Sequence, residues 1–319
     1  MVVQVQKGAL AAPTVMNASA TADAEAIVKQ VGIPAQPQVV MDIYKEVKSK
    51  NPSFTRISGL ISQDPSLAAR VLKIINSPFY GRSNKISSVQ QAVTMLGLQN
   101  FVKVVLTASL REVMAGGSAS KKFDGLWKHS VTVGRIAEFV ATWMGTEISP
   151  EDAYMAGLFH DSAIPLLIKK FKIDDVYFNR ESRTEIDSVM ANDWIITDEE
   201  GACKTNHAIV GGIMSRAWGM SPQISNAIRG HHVRSIHNLD NREGAVFWFT
   251  LRLSDYLAEY LAWKSGKPTI EIDFFQDHTY GLNRMGLDQD TLKEIGLDMR
   301  SLVDFIEDTM DMMDINMDE

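Results

Sequence analysis

The sequence predicts an all-α protein of two helical lobes. Apolar residues recur along most of the chain at the three- and four-residue spacing of amphipathic helices, and no segment shows the strict alternation typical of a half-buried strand. A stretch rich in Gly, Ser, Ala and Lys at residues 116–122 separates two groups of such helices and is the predicted hinge. With 319 residues, the chain has room for one large or two modest domains.

The first lobe is predicted over residues 33–116, after an N-terminal segment (1–32) made of a loose tail and a short helix that begins after Asp23. Prolines at positions 34 and 37 end that helix. Asp64-Pro65 and Ser88-Val89-Gln90-Gln91 are helix-start signals, and Gly97 is a predicted helix end. Five short helices are expected, over residues 38–48, 53–62, 65–76, 89–96 and 101–113.

The second lobe is predicted over residues 117–263, with helices over 123–144, 150–170, 207–218, 222–232 and 245–263. Between 173 and 204 the periodicity fails and acidic residues dominate, so we expect one further helix and a loop there. Residues 264–319 are predicted to form an acidic C-terminal extension. Its last helix, Leu302 to Met313, is amphipathic and should pack on its own domain, with docking to a partner as the alternative.

Composition narrows the class of protein. Hydrophobic residues make up 45% and charged residues 22%, fractions that are typical of an ordinary soluble globular protein. No stretch approaches 18 uncharged apolar residues and the N-terminus lacks a signal-peptide pattern, so no membrane association is expected. The single Cys203 cannot form an internal disulfide, which fits a cytoplasmic location.

The net charge of −7 is unevenly distributed along the chain. Residues 50–112 carry +6, which leaves −13 for the remainder. A basic lobe can meet an acidic protein surface, a nucleotide or a nucleic acid. The basic residues are spread out, however, which favours a solvated helical surface. We therefore expect no nucleic-acid binding and keep a nucleotide partner open.

A histidine and an aspartate, His160 and Asp161, follow an apolar run at residues 156–159 in a predicted buried helix. Burying such side chains costs free energy unless they are paired or bound to a metal. Neighbouring helical side chains diverge by about 100°, so the two could approach a pair of metal ions from different directions. Taken alone, the dipeptide is more often a hydrogen-bonded core feature.

Five of the seven histidines form an ordered series with this aspartate, each in a helix-like context. Helix bundles build metal sites from one or two inward ligands per helix. Imidazole and carboxylate without thiolate favour Fe, Mn or catalytic-type Zn, bound as one or two divalent ions. His237 and His278 lie outside the series and are expected on the surface. The predicted metal ligands are His129, His160, Asp161, His207, His231, His232 and Asp255, although one of the two adjacent histidines alone could face the site.

The series resembles the HD superfamily of metal-dependent phosphohydrolases, whose ligand order is His, His-Asp, His, His, Asp. Short segments in order along the chain point to one branch of this superfamily. They are IPAQP (33–37), ISQDPSLA (61–68), INSPFYG (75–81), ISSVQQA (86–92), LGL (96–98), LWKHS (126–130), AGLFHD (156–161), WG (218–219) and HH (231–232). Through these segments, residues 33–112 and 124–261 resemble the HDOD family, which is the HD-related output domain of bacterial signalling proteins. The resemblance implies an HD-like helical bundle in the second lobe and a regulatory module that binds a protein partner.

The sequence departs from the catalytic members of the superfamily directly after the aspartate. Those members commonly read His-Asp-Ile-Gly-Lys, whereas this chain continues Ser162-Ala163-Ile164-Pro165. The Gly-Tyr-Pro signature of the cyclic-dinucleotide phosphodiesterase branch is also missing after His232. Because a phosphate-binding cation is lost, we predict a non-catalytic signalling module. The alternative is a metal-dependent phosphohydrolase that acts on a nucleotide or another phosphoester.

Overall fold

The structure is a computed structural model. It describes residues 18–31, 38–62, 64–76, 86–115, 123–145, 148–174, 177, 193–233, 242–265, 282–283 and 286–307. Within these ranges every regular element is a helix and none is a strand, which confirms the all-α prediction. The predicted hinge at 116–122 lies outside the described residues, so the bounds of the four predicted segments stay predictions. His237 and His278 also lie outside the described residues.

The first five helices are α1 (Ala18–Val31), α2 (Gln38–Val47), α3 (Phe54–Ser62), α4 (Pro65–Ile75) and α5 (Val89–Ala115). Two predicted start signals are confirmed. The Asp64 carboxylate accepts a hydrogen bond from the Leu67 N–H at 2.9 Å, and Pro65 occupies the first helical position. Ser88 Oγ accepts from the Gln91 N–H at 3.1 Å at the start of α5.

Helix α5 consists of two helical stretches that meet at a break, as the sequence predicts. The break is at Gly97, whose φ of 73° and ψ of 162° are not helical, and helical structure continues on both sides. The positive φ is readily adopted only by glycine, which explains the residue at this point. The stretch Val89–Ser109 is long and apolar enough to cross a membrane, but more than half of it is buried, as expected for a core helix.

The second lobe contains α6 (Asp124–Met144), α7 (Pro150–Phe159), α8 (Ile164–Phe171), α9 (Asp193–Cys203), α10 (His207–Ala217), α11 (Pro222–Gly230) and α12 (Arg242–Ser265). The predicted single helix over 150–170 is wrong, because it breaks at residues 160–163. The Ile164 N–H bonds to the Asp161 carbonyl three residues back, and Pro165, which lacks an N–H, lies in the first turn of α8. His160 and Asp161 therefore lie in a turn between two helices.

Helices α6 and α7 approach each other closely at two glycines. A Cβ added at Gly157 would lie 2.7 Å from the Gly134 Cα and 2.8 Å from the Val133 carbonyl oxygen. These obstacles are backbone atoms, so only glycine permits this distance. The contact fixes α6, which carries His129, against the turn that follows α7.

The two lobes are joined by polar contacts at the start of α7. Lys48, which directly follows α2, places Nζ 2.9 Å from Asp152 Oδ1 and donates to Ser149 Oγ at 2.6 Å. Tyr44 donates its hydroxyl to the same Asp152. Ser149 is also the N-cap of α7, because its Oγ accepts from the Asp152 N–H. The first lobe thus holds the N-terminal end of the helix whose other end carries the His-Asp pair.

The terminal helices pack on the second lobe. Helix α1 lies against α10, with Ala24 fully buried and Arg229 Nη2 donating to Thr21 Oγ1 at 2.7 Å. It begins earlier than predicted, at Ala18. After α13 (Gln289–Ile295), residues 299–307 are helical, and Phe305 stacks on Trp143 of α6 with ring centroids 3.9 Å apart. The C-terminal helix therefore packs on its own chain as predicted, while its predicted end at 313 lies outside the described residues.

Candidate metal centre

The structure brings all seven predicted site residues into one cluster. His129 lies in α6, His160 and Asp161 in the α7–α8 turn, and His207 at the first position of α10. His231 and His232 follow α11 directly, and Asp255 lies in α12. Six of the seven side chains are buried and His129 is half-buried. Residues from five parts of the second lobe thus meet at one point.

Asp161 lies at the centre of the cluster, and each of its two oxygens faces a different pair of imidazoles. Oδ2 is 3.2 Å from His160 Nε2 and 3.8 Å from His129 Nε2. Oδ1 is 3.2 Å from His207 Nε2 and 3.9 Å from His231 Nε2. A carboxylate in this position can bridge two ions.

Group one consists of His129, His160, Asp161 and Asp255. Asp255 Oδ1 lies 3.1 Å from His129 Nε2 and 3.8 Å from His160 Nε2. One ligand atom from each of His129, His160 and Asp161 can be chosen so that all three lie within 4.8 Å of one another. Two of the buried polar atoms, His160 Nε2 and Asp255 Oδ1, make no aligned hydrogen bond within the protein. Such atoms are costly in a core, and a bound cation would satisfy both.

Group two consists of Asp161, His207, His231 and His232. His207 Nε2 lies 3.2 Å from His231 Nε2 and 3.1 Å from His232 Nε2. Two nitrogens bound at about 2.1 Å to one ion, with an angle of roughly 95–110° between them, are about 3.1–3.4 Å apart. The spacing of the three histidines therefore fits a shared metal ion.

The outer nitrogens of His160 and His231 are held by backbone carbonyl oxygens. His160 Nδ1 lies 2.7 Å from the Gly157 carbonyl oxygen and His231 Nδ1 lies 2.6 Å from the Ile228 carbonyl oxygen. Because a carbonyl can only accept, each Nδ1 carries a proton, and in the neutral ring Nε2 presents its lone pair to the centre. This outer arrangement is typical of histidines that bind metal.

The two adjacent histidines differ in their surroundings, although both place Nε2 near His207. Arg252 Nη1 donates to the His231 carbonyl oxygen at 3.1 Å and lies 3.3 Å from His232 Nδ1. A guanidinium can only donate, so His232 Nδ1 is the acceptor and the neutral ring carries its proton on Nε2. His231 is therefore the better prepared ligand of the two. The sequence left open whether one or both of them face the site, and in the structure both rings lie at the cluster.

Four buried carboxylates surround the histidines. Besides Asp161 and Asp255, Glu199 lies within 2.9 Å of His207 Nδ1, and Glu259 Oε1 lies 3.8 Å from His129 Nδ1. Buried carboxylates are stable only when cations balance their charge. Two divalent ions would supply four positive charges, and protonated imidazoles supply part of this charge without metal.

The charges of these carboxylates shift the pKa of two histidines upward. Burial alone would lower the pKa of His129, but Asp255, Glu259 and Asp161 together raise it to about 9. Burial likewise opposes the charged form of His207, whereas Glu199 and Asp161 raise its pKa to about 10. Without metal, both imidazoles therefore hold a proton at neutral pH.

Other groups of the cluster shift in the opposite direction. Burial and the neighbouring His232, His160 and His207 hold the pKa of His231 well below its usual value. Burial acts to raise the pKa of Asp161, but His160 and His207 keep it well below the ordinary range. Asp161 is therefore ionised and His231 neutral, which is the state that binds metal.

Metal uptake at about pH 7.5 is expected to release about two protons per molecule, because His129 and His207 must become neutral to bind. The apparent affinity should keep rising up to pH values of about 9 to 10, instead of levelling off near the ordinary histidine value. Calorimetric titration in two buffers of different ionisation enthalpy counts the protons. Uptake without proton release would contradict the charged state of these two side chains.

Glu199, Glu259 and Arg252 were not among the predicted site residues. Spacing could have indicated each of them. Ile195, Glu199 and Cys203 recur every four residues and are all buried, so they define the inner face of α9. Arg252 and Glu259 lie three residues before and four residues after Asp255, which places them on the same face of α12.

The fold and the site together define an all-α protein whose buried histidines and aspartates could hold metal ions. The HDOD domain family matches residues 33–234, which is more than half of the chain, and the protein belongs to this family. The HDOD resemblance of the sequence is thereby confirmed.

Similar proteins are distant in sequence. An uncharacterised protein of Treponema pallidum is 24% identical over 208 residues, which cover 63% of this chain and 37% of that protein. The cyclic di-GMP phosphodiesterase CdgJ of Vibrio cholerae is 24% identical over 155 residues, 47% of this chain and 35% of CdgJ. The chain thus spans little more than a third of these relatives.

A solved structure shows the same fold over nearly the whole chain. An HDOD domain protein of unknown function from Geobacter sulfurreducens has a TM-score of 0.66 and is 22% identical. The similarity covers 93% of this chain and 96% of that one. It confirms the two-lobed helical architecture.

Proposed function

We propose that the protein is a non-catalytic, metal-binding output module of bacterial signalling that acts through a protein partner. The observation that carries this proposal is the contrast between a complete set of metal ligands and the buried, apolar residues that follow Asp161. Ala163 and Ile164 are buried in the core, where catalytic members of the superfamily commonly place the glycine and lysine that follow their His-Asp pair. A phosphate that reached the ions would meet no cation from this turn.

The other basic groups of the described site do not replace the missing lysine. Among the described residues, Arg252 is the one buried lysine or arginine. Its Nη1 donates to the His231 carbonyl oxygen and lies against the His232 ring. This guanidinium thus supports the histidine pair instead of facing an incoming phosphate.

The alternative function, a metal-dependent phosphohydrolase, is favoured by the bridging position of Asp161. Two ions held by groups one and two would activate water and polarise a phosphate. The name of CdgJ points to cyclic di-GMP signalling, which makes a cyclic dinucleotide the first substrate to test. That name describes a protein of which this chain matches about a third.

The ligand chemistry narrows the identity of the metal. Imidazole nitrogens and carboxylate oxygens without thiolate suit Fe, Mn or Zn. We infer Fe or Mn for two ions that share a carboxylate, with Zn as the alternative. A partner protein would bind the two-lobed helical surface, as the HDOD resemblance implies.

Metal-loaded protein is expected to hydrolyse none of the phosphoesters in a broad panel above the metal-only background. The panel contains cyclic dinucleotides, nucleoside phosphates and a generic phosphodiester, each with Mn²⁺ or Fe²⁺. The physical reason is the missing phosphate-binding cation after Asp161. Robust hydrolysis by the wild type that vanishes in Asp161→Asn would overturn the non-catalytic proposal in favour of the enzyme.

A further inference from the structure

Helix α9 brings a glutamate to the metal centre from outside the predicted ligand series. The Glu199 side chain is 0% exposed. Its Oε2 accepts a hydrogen bond from the His207 backbone N–H at 2.8 Å, and both carboxylate oxygens lie within 2.9 Å of His207 Nδ1. Tyr177 donates its hydroxyl to Oε1. One carboxylate therefore contacts the main chain and the ring of the same histidine.

This double contact restricts the rotation of the His207 ring. A ring held at Nδ1 by a group that is itself fixed to the backbone N–H can turn Nε2 in one direction only. That direction leads to Asp161 Oδ1, 3.2 Å away. Outer carboxylates of this kind orient a histidine and raise its basicity as a ligand.

A small apolar cluster fixes the position of Glu199. The cluster is separate from the main core and joins α8, residue 177 and α9 through Ile164, Ile168, Tyr177 and Ile195. Helix α8 begins three residues after Asp161, and α9 ends four residues before His207. The apolar cluster therefore joins the helices next to these two residues of group two. The carboxylate is thus held by packing as well as by hydrogen bonds.

We propose that Glu199 is the positioning residue of group two, which holds His207 in its metal-binding orientation and links helix α9 to metal occupancy. The inference rests on the metal binding proposed above and deepens it. It assigns a role to a residue that contacts no ion itself. In group one, His160 Nδ1 lies against the Gly157 carbonyl oxygen, and the Glu259 carboxylate lies 3.8 Å from His129 Nδ1, beyond hydrogen-bond distance. The effect of Glu199 should therefore be confined to group two.

The experiment compares Glu199→Gln with Asp198→Asn, which makes the same charge change one residue earlier on an exposed position of α9. Both variants and the wild type are titrated with Mn²⁺ by calorimetry. The wild type and Asp198→Asn should each bind two ions, and for each ion the two proteins should have the same affinity. Glu199→Gln should bind the first ion normally and the second about 10–100-fold more weakly. Tyr177→Phe, which leaves the carboxylate in place, should cause a smaller loss.

Hydrogen exchange of the wild-type protein supplies a readout that does not depend on whether Glu199→Gln folds. Mn²⁺ should slow exchange of the amides of residues 193–203 in the wild type, because metal binding stabilises the contact between His207 and Glu199. Unchanged exchange there, or a Glu199→Gln protein that binds two ions with wild-type affinity, would overturn this inference and leave the metal centre intact. A wild type that binds no Mn²⁺ would overturn both.

Discussion

Asp161→Asn is expected to abolish stoichiometric metal binding while the helices remain folded. Each oxygen of Asp161 faces one group of histidines, so the substitution removes a ligand from both groups at once. Affinity should fall about 100-fold or more, since even outer partners of metal ligands contribute 10–100-fold. Metal-free protein should lose about 1–3 kcal/mol of stability, because the charged partner of His160 and His207 is removed. Elemental analysis, circular dichroism and urea unfolding measure the three effects.

Asp255→Asn is the matched control for this variant. Asp255 lies against His129 and His160, so Asp255→Asn should lose the ion of group one and keep the ion of group two. Equal metal content in wild type and Asp161→Asn would contradict the bridging role. Loss of both ions in Asp255→Asn would contradict the division into two groups.

Gly157→Ala should destabilise the protein by about 1–3 kcal/mol and weaken metal binding in group one. The added methyl group would lie 2.7–2.8 Å from backbone atoms of residues 133 and 134, so α6 and α7 must separate. That separation moves His129 away from His160. Urea unfolding measures the stability, and a Mn²⁺ titration measures the site.

Gly125→Ala provides the control for the glycine substitution. Gly125 lies on an exposed part of α6, and an added Cβ there has no neighbour within 4 Å. This variant should be neutral or stabilised by up to about 1 kcal/mol, because alanine favours the helix. A Gly157→Ala protein as stable as Gly125→Ala would contradict the close packing of α6 on α7.

The sequence predicts helix starts well because they depend on neighbouring residues. Asp64 and Ser88 accept hydrogen bonds from N–H groups three residues later, as their spacing indicates. The break at residues 160–163 was not predicted, because the apolar run continues through it and Pro165 can also occupy a helical first turn. The break at Gly97 could be predicted, since a glycine between two stretches of helical periodicity indicates a helix end.

The ligand set could be predicted because the order of its residues along the chain resembles a known series. Glu199 lies outside that series, and its signal in the sequence is the four-residue spacing that it shares with Ile195 and Cys203, in a segment where acidic residues are frequent. Its role depends on a contact with His207 across a loop, and the cost of burying it becomes visible only when its surroundings are known.

Metal analysis of the wild-type protein, prepared without chelators and after anaerobic reconstitution with Fe²⁺ or Mn²⁺, tests the central claim most directly. The geometry of groups one and two predicts two firmly held transition-metal ions per chain, which a chelator removes and reconstitution restores. The absence of any stoichiometric Fe, Mn or Zn at neutral pH, after reconstitution as well as before, would contradict the assignment of the cluster around Asp161 as a metal centre.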